Sequence, residues 1–276
     1  MGVAVTCRRV VHIYRVEATD VVALAGVDLT IGPGEMVALV GPSGSGKSTL
    51  IALLAGLMRP AAGRIDVGRY DLGRLSDAEL HRLRGTEIGV VLQGAERNLL
   101  PYATVERNIW LAQRRVAATK GVELEDPERI LDLVGLAGQA RVRAGALPRA
   151  AQQRAALAVG VAAGPGLLLV DEPTSQLDTD GRDRVLVALE TLNATRGTTV
   201  VVVTHDLAVG ARIGRVVTIR DGRVGSEGRD GQDFAVVAGD GTVQLPPEVL
   251  GEFPPGTLFA VDHADGSVRL QSDGHD

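Results

Sequence analysis

Between Gly41 and Thr49 the chain reads Gly-Pro-Ser-Gly-Ser-Gly-Lys-Ser-Thr, the G-x-x-x-x-G-K-[ST] spacing of a loop that cradles phosphates. The glycines free backbone N–H groups to face an anion, Lys47 reaches the terminal phosphates, and the Ser48 hydroxyl suits Mg²⁺. Gly41, Ser43, Gly44, Gly46, Lys47, Ser48 and Thr49 are therefore candidate contacts to a nucleoside triphosphate. Much further along, the apolar run Leu167–Val170 ends in Asp171-Glu172, at the strand end where open α/β sheets place their ligand chemistry. In this reading Asp171 holds Mg²⁺ through water and Glu172 polarises the attacking water. An acidic pair that merely caps a strand is the bland alternative, and it weakens beside a phosphate loop.

These groups need elements to carry them. The loop follows the apolar run Met36–Val40 and precedes the helical stretch Thr49–Ala55. Further runs at Ile88–Leu92, Leu167–Val170, Val200–Val203 and Val216–Ile219 suit strands buried on both faces, and the stretches between them carry helical signals. The fold class expected is α/β, a mostly parallel sheet of the P-loop NTPase kind. Short strands at Val3–Val5, Val22–Leu24 and Val27–Ile31 leave no room for crossover helices, so an antiparallel β-region comes first. Ser76-Asp77-Ala78-Glu79 reads as a capping box, and Asp126-Pro127-Glu128 as a helix start. Residues 95–159 read as a helical insertion. After Arg223, turn signals at Asp240-Gly241 and Asp265-Gly266 mark two hairpins, with Pro246-Pro247-Glu248 between them, which divides the chain into a domain at 1–230 and a β-rich extension at 231–276.

Composition narrows the function. A formal net charge of −5 argues against a chain that lives on nucleic acid. The longest apolar stretch, Ala155–Val170, is cut by Gly164-Pro165-Gly166, too short for a bilayer-spanning helix of about 20 residues. No apolar segment follows Arg8 and Arg9 to mark a secretory signal, so the expected location is the cytoplasm. Cys7 is the only cysteine, which leaves no internal disulfide and no cysteine metal cluster.

The order of further elements is more specific: Gln93 after an apolar strand, Asp171-Glu172-Pro173, Ser175-Gln176-Leu177-Asp178, then Thr204-His205-Asp206. Over residues 3–227 the chain resembles the nucleotide-binding domain of ATP-binding-cassette (ABC) transporters. The resemblance implies ATP and Mg²⁺ as ligands, Tyr14 stacked on the adenine, Gln93 sensing Mg²⁺ and the γ-phosphate, His205 holding the γ-phosphate, and Asp178 communicating across a dimer. The stretches around Val22–Ile65, Leu83–Gln93 and Asn98–Ile109 are most similar to the macrolide-exporter and lipoprotein-releasing branch. That branch implies a separate integral membrane permease as partner, export, and a peripheral position on the inner face of the cell membrane. A mechanical regulator of a membrane partner, and a soluble cassette ATPase of DNA repair or translation, are the competing readings.

One departure stands out. Where the family carries Leu-Ser-Gly-Gly-Gln, this chain has Leu147-Pro148-Arg149-Ala150-Ala151. The family's motif completes a partner's ATP site, so its loss points to a heterodimer with a second ATPase whose motif is intact, a homodimer being the alternative; Arg149 as a substitute charge donor would rescue the latter. Residues 239–256 and the last hairpin are loosely similar to swapped-hairpin regulators of the AbrB type, but the acidic surplus there disfavours DNA and favours dimerisation or regulation.

Overall fold

The computed structural model describes residues 1–16, 19–120, 125–229, 232–237, 241–245, 247–254, 257–264 and 267–272. Asp240, Pro246 and the Asp265-Gly266 turn, along with the boundary expected near residue 230, lie outside them.

Strands β1 (Val5–Val16) and β2 (Thr19–Ile31) form a long antiparallel pair. Strand β3 (Met36–Val40) enters the middle of a second sheet, and α1 (Lys47–Leu54) follows it through the phosphate loop. Strands β4 (Ala62–Val67) and β5 (Tyr70–Asp71) return to complete the antiparallel sheet, in the order β2-β1-β4-β5. Helix α2 (Asp77–Thr86) opens on the expected capping box: the Ser76 hydroxyl accepts the Glu79 N–H, and the Glu79 carboxylate accepts the Ser76 N–H at 2.7 Å. After β6 (Ile88–Val91) come the helices α3 (Val105–Lys120), α4 (Pro127–Leu133) and α5 (Arg149–Val161). Pro127 occupies the first turn of α4 and Asp126 caps it, as the sequence suggests. The chain continues through β7 (Leu167–Asp171), α6 (Thr179–Arg196), β8 (Thr199–Thr204), α7 (Leu207–Ile213), β9 (Arg215–Arg220), β10 (Arg223–Arg229) and β11 (Gln232–Ala235). Helix α8 (Pro247–Glu252) and a hairpin of β12 (Phe259–Ala264) with β13 (Ser267–Ser272) end the described chain.

The main sheet has the order β11-β10-β9-β3-β8-β7-β6. Strands β9, β3, β8, β7 and β6 run parallel, while β10 and β11 add antiparallel pairs at one edge, making the sheet mixed. Its central strands face two cores. Leu168, Val170, Val200 and Val202 pack into a core with α5 and α6, whereas Leu167, Leu169, Val201 and Val203 pack into one with α1 and the antiparallel sheet. That two-sided burial is why these strands read as unbroken apolar runs. Arg215 joins the two sheets: its guanidinium pairs with Glu35 and Glu227, each at 2.8 Å, and donates to the Thr30 carbonyl at 2.9 Å. On α3, Trp110 lies between the guanidinium of Arg107, 4.1 Å from its ring centre, and that of Arg114 at 5.4 Å.

Some expected elements differ. The N-terminal strands are continuous and long, because bulges after Cys7 and His12 and a left-handed Arg9 (φ 49°) interrupt the side-chain alternation without ending the pairing. Strand β4 gave no sequence signal, since its first residues are exposed and Gly63 has φ 85°. Among the described residues, the hairpin expected about Asp240-Gly241 shows one bridge, between Val237 and Val243, and β11 pairs instead with β10.

Leu39 sits on β3 with no exposed surface. Leu39→Ala should lower the unfolding free energy by about 2–5 kcal/mol, read from a denaturant titration.

Candidate active site

Parallel register gathers the site. Val40 of β3 pairs with Thr204 of β8, and Val203 of β8 pairs with Asp171 of β7. Neighbouring strands lie about 4.8 Å apart. The residues that follow these ends, Gly41, His205 and Glu172, therefore emerge along one edge of the sheet. Strand β6 pairs with β7 up to Val91 and delivers Gln93 to the same edge, where it is exposed.

The phosphate loop has the steric form its sequence requires. A Cβ at Gly41 would lie 2.1 Å from the Ile219 carbonyl oxygen, and one at Gly46 would lie 2.5 Å from that of Ala23. Gly46 is also the N-cap of α1 with φ 100°, so no side chain caps that helix start. The Lys47 ammonium is buried by its own loop and donates to the carbonyls of Gly41 at 2.6 Å and Pro42 at 2.8 Å. Burial lowers its pKa, and the charges of Glu172 and Asp171 offset part of that effect. Ser43, Gly44 and Ser48 are exposed along the loop, while Thr49 is buried. The Thr49 and Tyr14 hydroxyls lie 3.2 Å apart, which places the Tyr14 ring of β1 beside the start of α1.

Opposite the lysine, burial first and then the Glu172 charge push the Asp171 carboxyl up, while Lys47 and Arg97 pull it down. The Glu172 backbone is left-handed, φ 47°, and its N–H bonds the Val203 carbonyl at 2.9 Å. A non-glycine residue held there stores about 1–3 kcal/mol of strain, a pattern that clusters at functional sites. The Glu172 Oε1 lies 2.8 Å from the His205 Nδ1. A carboxylate only accepts, so Nδ1 carries the proton and Nε2 is turned away from Glu172. The donors, the hydroxyl and the paired carboxylates suit a nucleotide with its divalent cation.

The family model described as ABC transporter matches residues 24–175. The chain belongs to this family. The lipoprotein-releasing system ATP-binding protein LolD of Anaeromyxobacter dehalogenans is 41% identical over 206 residues, which is 74% of this chain and 85% of that protein. The macrolide export ATP-binding/permease protein MacB of Chromobacterium violaceum is 39% identical over 74% of this chain but 31% of its own length. The methionine import ATP-binding protein MetN of Mesorhizobium japonicum is 36% identical over 88% of this chain and 69% of that protein. Among solved structures, the dimeric ATP-binding cassette MJ0796 in a post-hydrolysis state with ADP and Pi superposes with a TM-score of 0.72 at 32% identity, covering 82% of this chain and 98% of that one. This protein is an ABC ATPase, the ATP-binding subunit of a transporter.

In this ABC ATPase the divergent motif sits at the start of α5. Pro148 is the N-cap and contributes no side-chain cap, and Arg149 is the first helical residue. The Arg149 guanidinium donates to Oε1 of Gln176 at 2.9 Å, and Gln176 has a left-handed φ of 63°. Asp178 caps α6 by accepting the Gly181 N–H at 2.8 Å. A cleft of about 370 Å³ opens between the Gln93–Arg97 turn, the start of α5 and residues 175–177. Neither Arg97 nor Gln153, both on its walls, is marked by spacing in the sequence: one lies in an irregular turn and the other faces inward from mid-helix.

Two outcomes follow from this geometry. Gly46→Ala should weaken ATP binding by roughly tenfold or more, since forced left-handed strain alone costs about 1–3 kcal/mol, as a titration with a fluorescent ATP analogue would report. Because the folded pKa of Asp171 is raised, its ionised form costs stability above that pKa, and the cost vanishes as the pH falls through it. Asp171→Asn should therefore raise the Tm of the nucleotide-free protein at neutral pH, with a gain that shrinks on acidification, as calorimetry across pH would show.

Proposed function

We propose that this chain hydrolyses ATP to drive a separate membrane permease of the export type, paired with a second ATPase that supplies an intact Leu-Ser-Gly-Gly-Gln motif. The observation that carries this is an asymmetry within one chain. Lys47, Asp171, Glu172 and His205 meet at one sheet edge, yet the helix that serves a neighbour begins with Pro148 and Arg149. Export is favoured by the likeness to LolD and MacB, whose names describe lipoprotein release and macrolide export. Among the described residues no helix is long and apolar enough to cross a membrane, which suits a peripheral subunit on the inner face.

Each residue takes a stated part. Lys47 and the N–H groups of the 41–49 loop bind the phosphates, and Tyr14 supports the adenine. Ser48, Asp171 and Gln93 hold Mg²⁺, which when bound screens the phosphate charge. Glu172 orients and polarises the attacking water, its carboxylate steadied by the Nδ1 proton of His205. His205 stands beside Glu172 to hold the γ-phosphate through a ring N–H, and Asp178 fixes the start of α6 at the dimer face. The extension after Arg229 serves dimerisation or regulation.

Pro148 has neither hydroxyl nor N–H to offer a neighbour's phosphate. A bond to a charged group is worth about 1.5–3 kcal/mol, so its loss slows a homodimer by roughly one to two orders of magnitude. The purified chain alone should hydrolyse ATP slowly, and Pro148→Ser with Arg149→Gly should raise the steady-state rate by roughly tenfold or more. An ordinary rate alone, unchanged by the double substitution, would remove the reason for a second ATPase.

A further inference from the structure

We propose that Asn98 is the positioning residue for Gln93, clamping the backbone on both sides of it with three hydrogen bonds from one side chain. The pairing of β6 with β7 stops at Val91, so Leu92 leaves the sheet without a strand partner. The Asn98 side chain takes that place: its Oδ1 accepts the Leu92 N–H at 2.9 Å, and its Nδ2 donates to the Leu92 carbonyl at 2.8 Å. The same Nδ2 donates to the Gly94 carbonyl at 2.9 Å. Gln93, exposed itself, thus lies between two residues held by one amide. Gly94 has a positive φ of 85°, and the short 3-10 turn Ala95–Arg97 that follows returns Asn98 to Leu92. One acceptor and two donors on a short side chain is what a primary amide offers, and exchanging its O and N would set an NH2 group against the Leu92 N–H.

Asn108 repeats the device further along. Its Oδ1 accepts the Leu100 N–H at 2.7 Å, and its Nδ2 donates to the carbonyls of Leu100 at 3.2 Å and Thr104 at 2.9 Å. The two clamps differ in what they enclose. Leu100 adjoins no residue assigned to the Mg²⁺ site, whereas Leu92 and Gly94 flank Gln93. An exposed glutamine on an unrestrained turn would lose conformational freedom each time it reached the metal, and a clamped backbone lowers that loss. The proposal rests on the reading of Gln93 as a contact to Mg²⁺ and the γ-phosphate. It adds that this contact is set by a residue outside both the phosphate loop and the strand ends.

Steady-state hydrolysis by the purified full chain, measured against Mg²⁺ at saturating ATP, tests the role. Asn98→Ala should raise the half-saturating Mg²⁺ concentration by roughly fivefold, the weight of about one hydrogen bond, while the KM for ATP at saturating Mg²⁺ stays within about twofold. Gln93→Ala should raise it as well, and adding Asn98→Ala to Gln93→Ala should shift it no further, because Asn98 acts through that side chain. Asn108→Ala should lower the Tm but leave the Mg²⁺ dependence in place, which separates positioning from general loosening. Hydrogen exchange at the Leu92 amide should quicken in Asn98→Ala. A Mg²⁺ dependence unmoved by Asn98→Ala while Gln93→Ala shifts it, additive shifts in the double variant, or an equal shift from Asn108→Ala would overturn the proposal. A Mg²⁺ dependence unmoved by Gln93→Ala, alongside quickened exchange at Leu92 in Asn98→Ala, would instead sink the reading of Gln93 and leave the clamp standing.

Discussion

Parallel pairing of β3 with β8 and of β8 with β7 is the constraint on which the rest depends. A slip of one residue in either pair would move its strand's core set to the opposite face, exchanging Leu168 and Val170 for Leu167 and Leu169. Two-sided burial makes that slip costly, because each face packs into a different core. The same register sets how far Lys47 stands from Asp171 and Glu172. Stability and chemistry therefore share one set of backbone hydrogen bonds, and the sheet interior cannot be retuned without moving the site.

Around that frame the side chains of the site bond one another and their own backbone. Lys47 bonds the carbonyls of its own loop, Tyr14 and Thr49 share a hydroxyl contact, and His205 holds Glu172. The strained backbone at Glu172 is held by its bond to Val203, another place where β8 enforces the geometry. Arg215 keeps the antiparallel sheet, which carries Tyr14, fixed to the main one.

Elements that satisfy a local rule were legible in the sequence. The phosphate loop, the doubly buried strands β3, β6, β7 and β8, the one-sided strand β9, and the caps at Ser76 and Asp126 all announce themselves through a few neighbouring residues. What tertiary structure decides was not legible. The β1–β2 pair hides behind bulges and the charged Arg8-Arg9 step, and β4 begins with exposed residues and a left-handed glycine. Strand β11 pairs with β10, the strand before it, rather than with residues 242–245, because β10 offers an open sheet edge. In the site, Arg149 was visible as a foreign residue in a familiar frame, but its bond to Gln176 spans 27 positions and no local pattern encodes it.

The arginine-flanked Trp110 has a practical meaning. It is the only tryptophan in the chain, and it lies on α3, within the helical insertion rather than the sheet. Intrinsic emission excited at the indole band therefore comes from that insertion alone. The molecule carries its own optical probe of whatever contacts or rotates this helical block, with no label to attach and no background from the nucleotide-binding core.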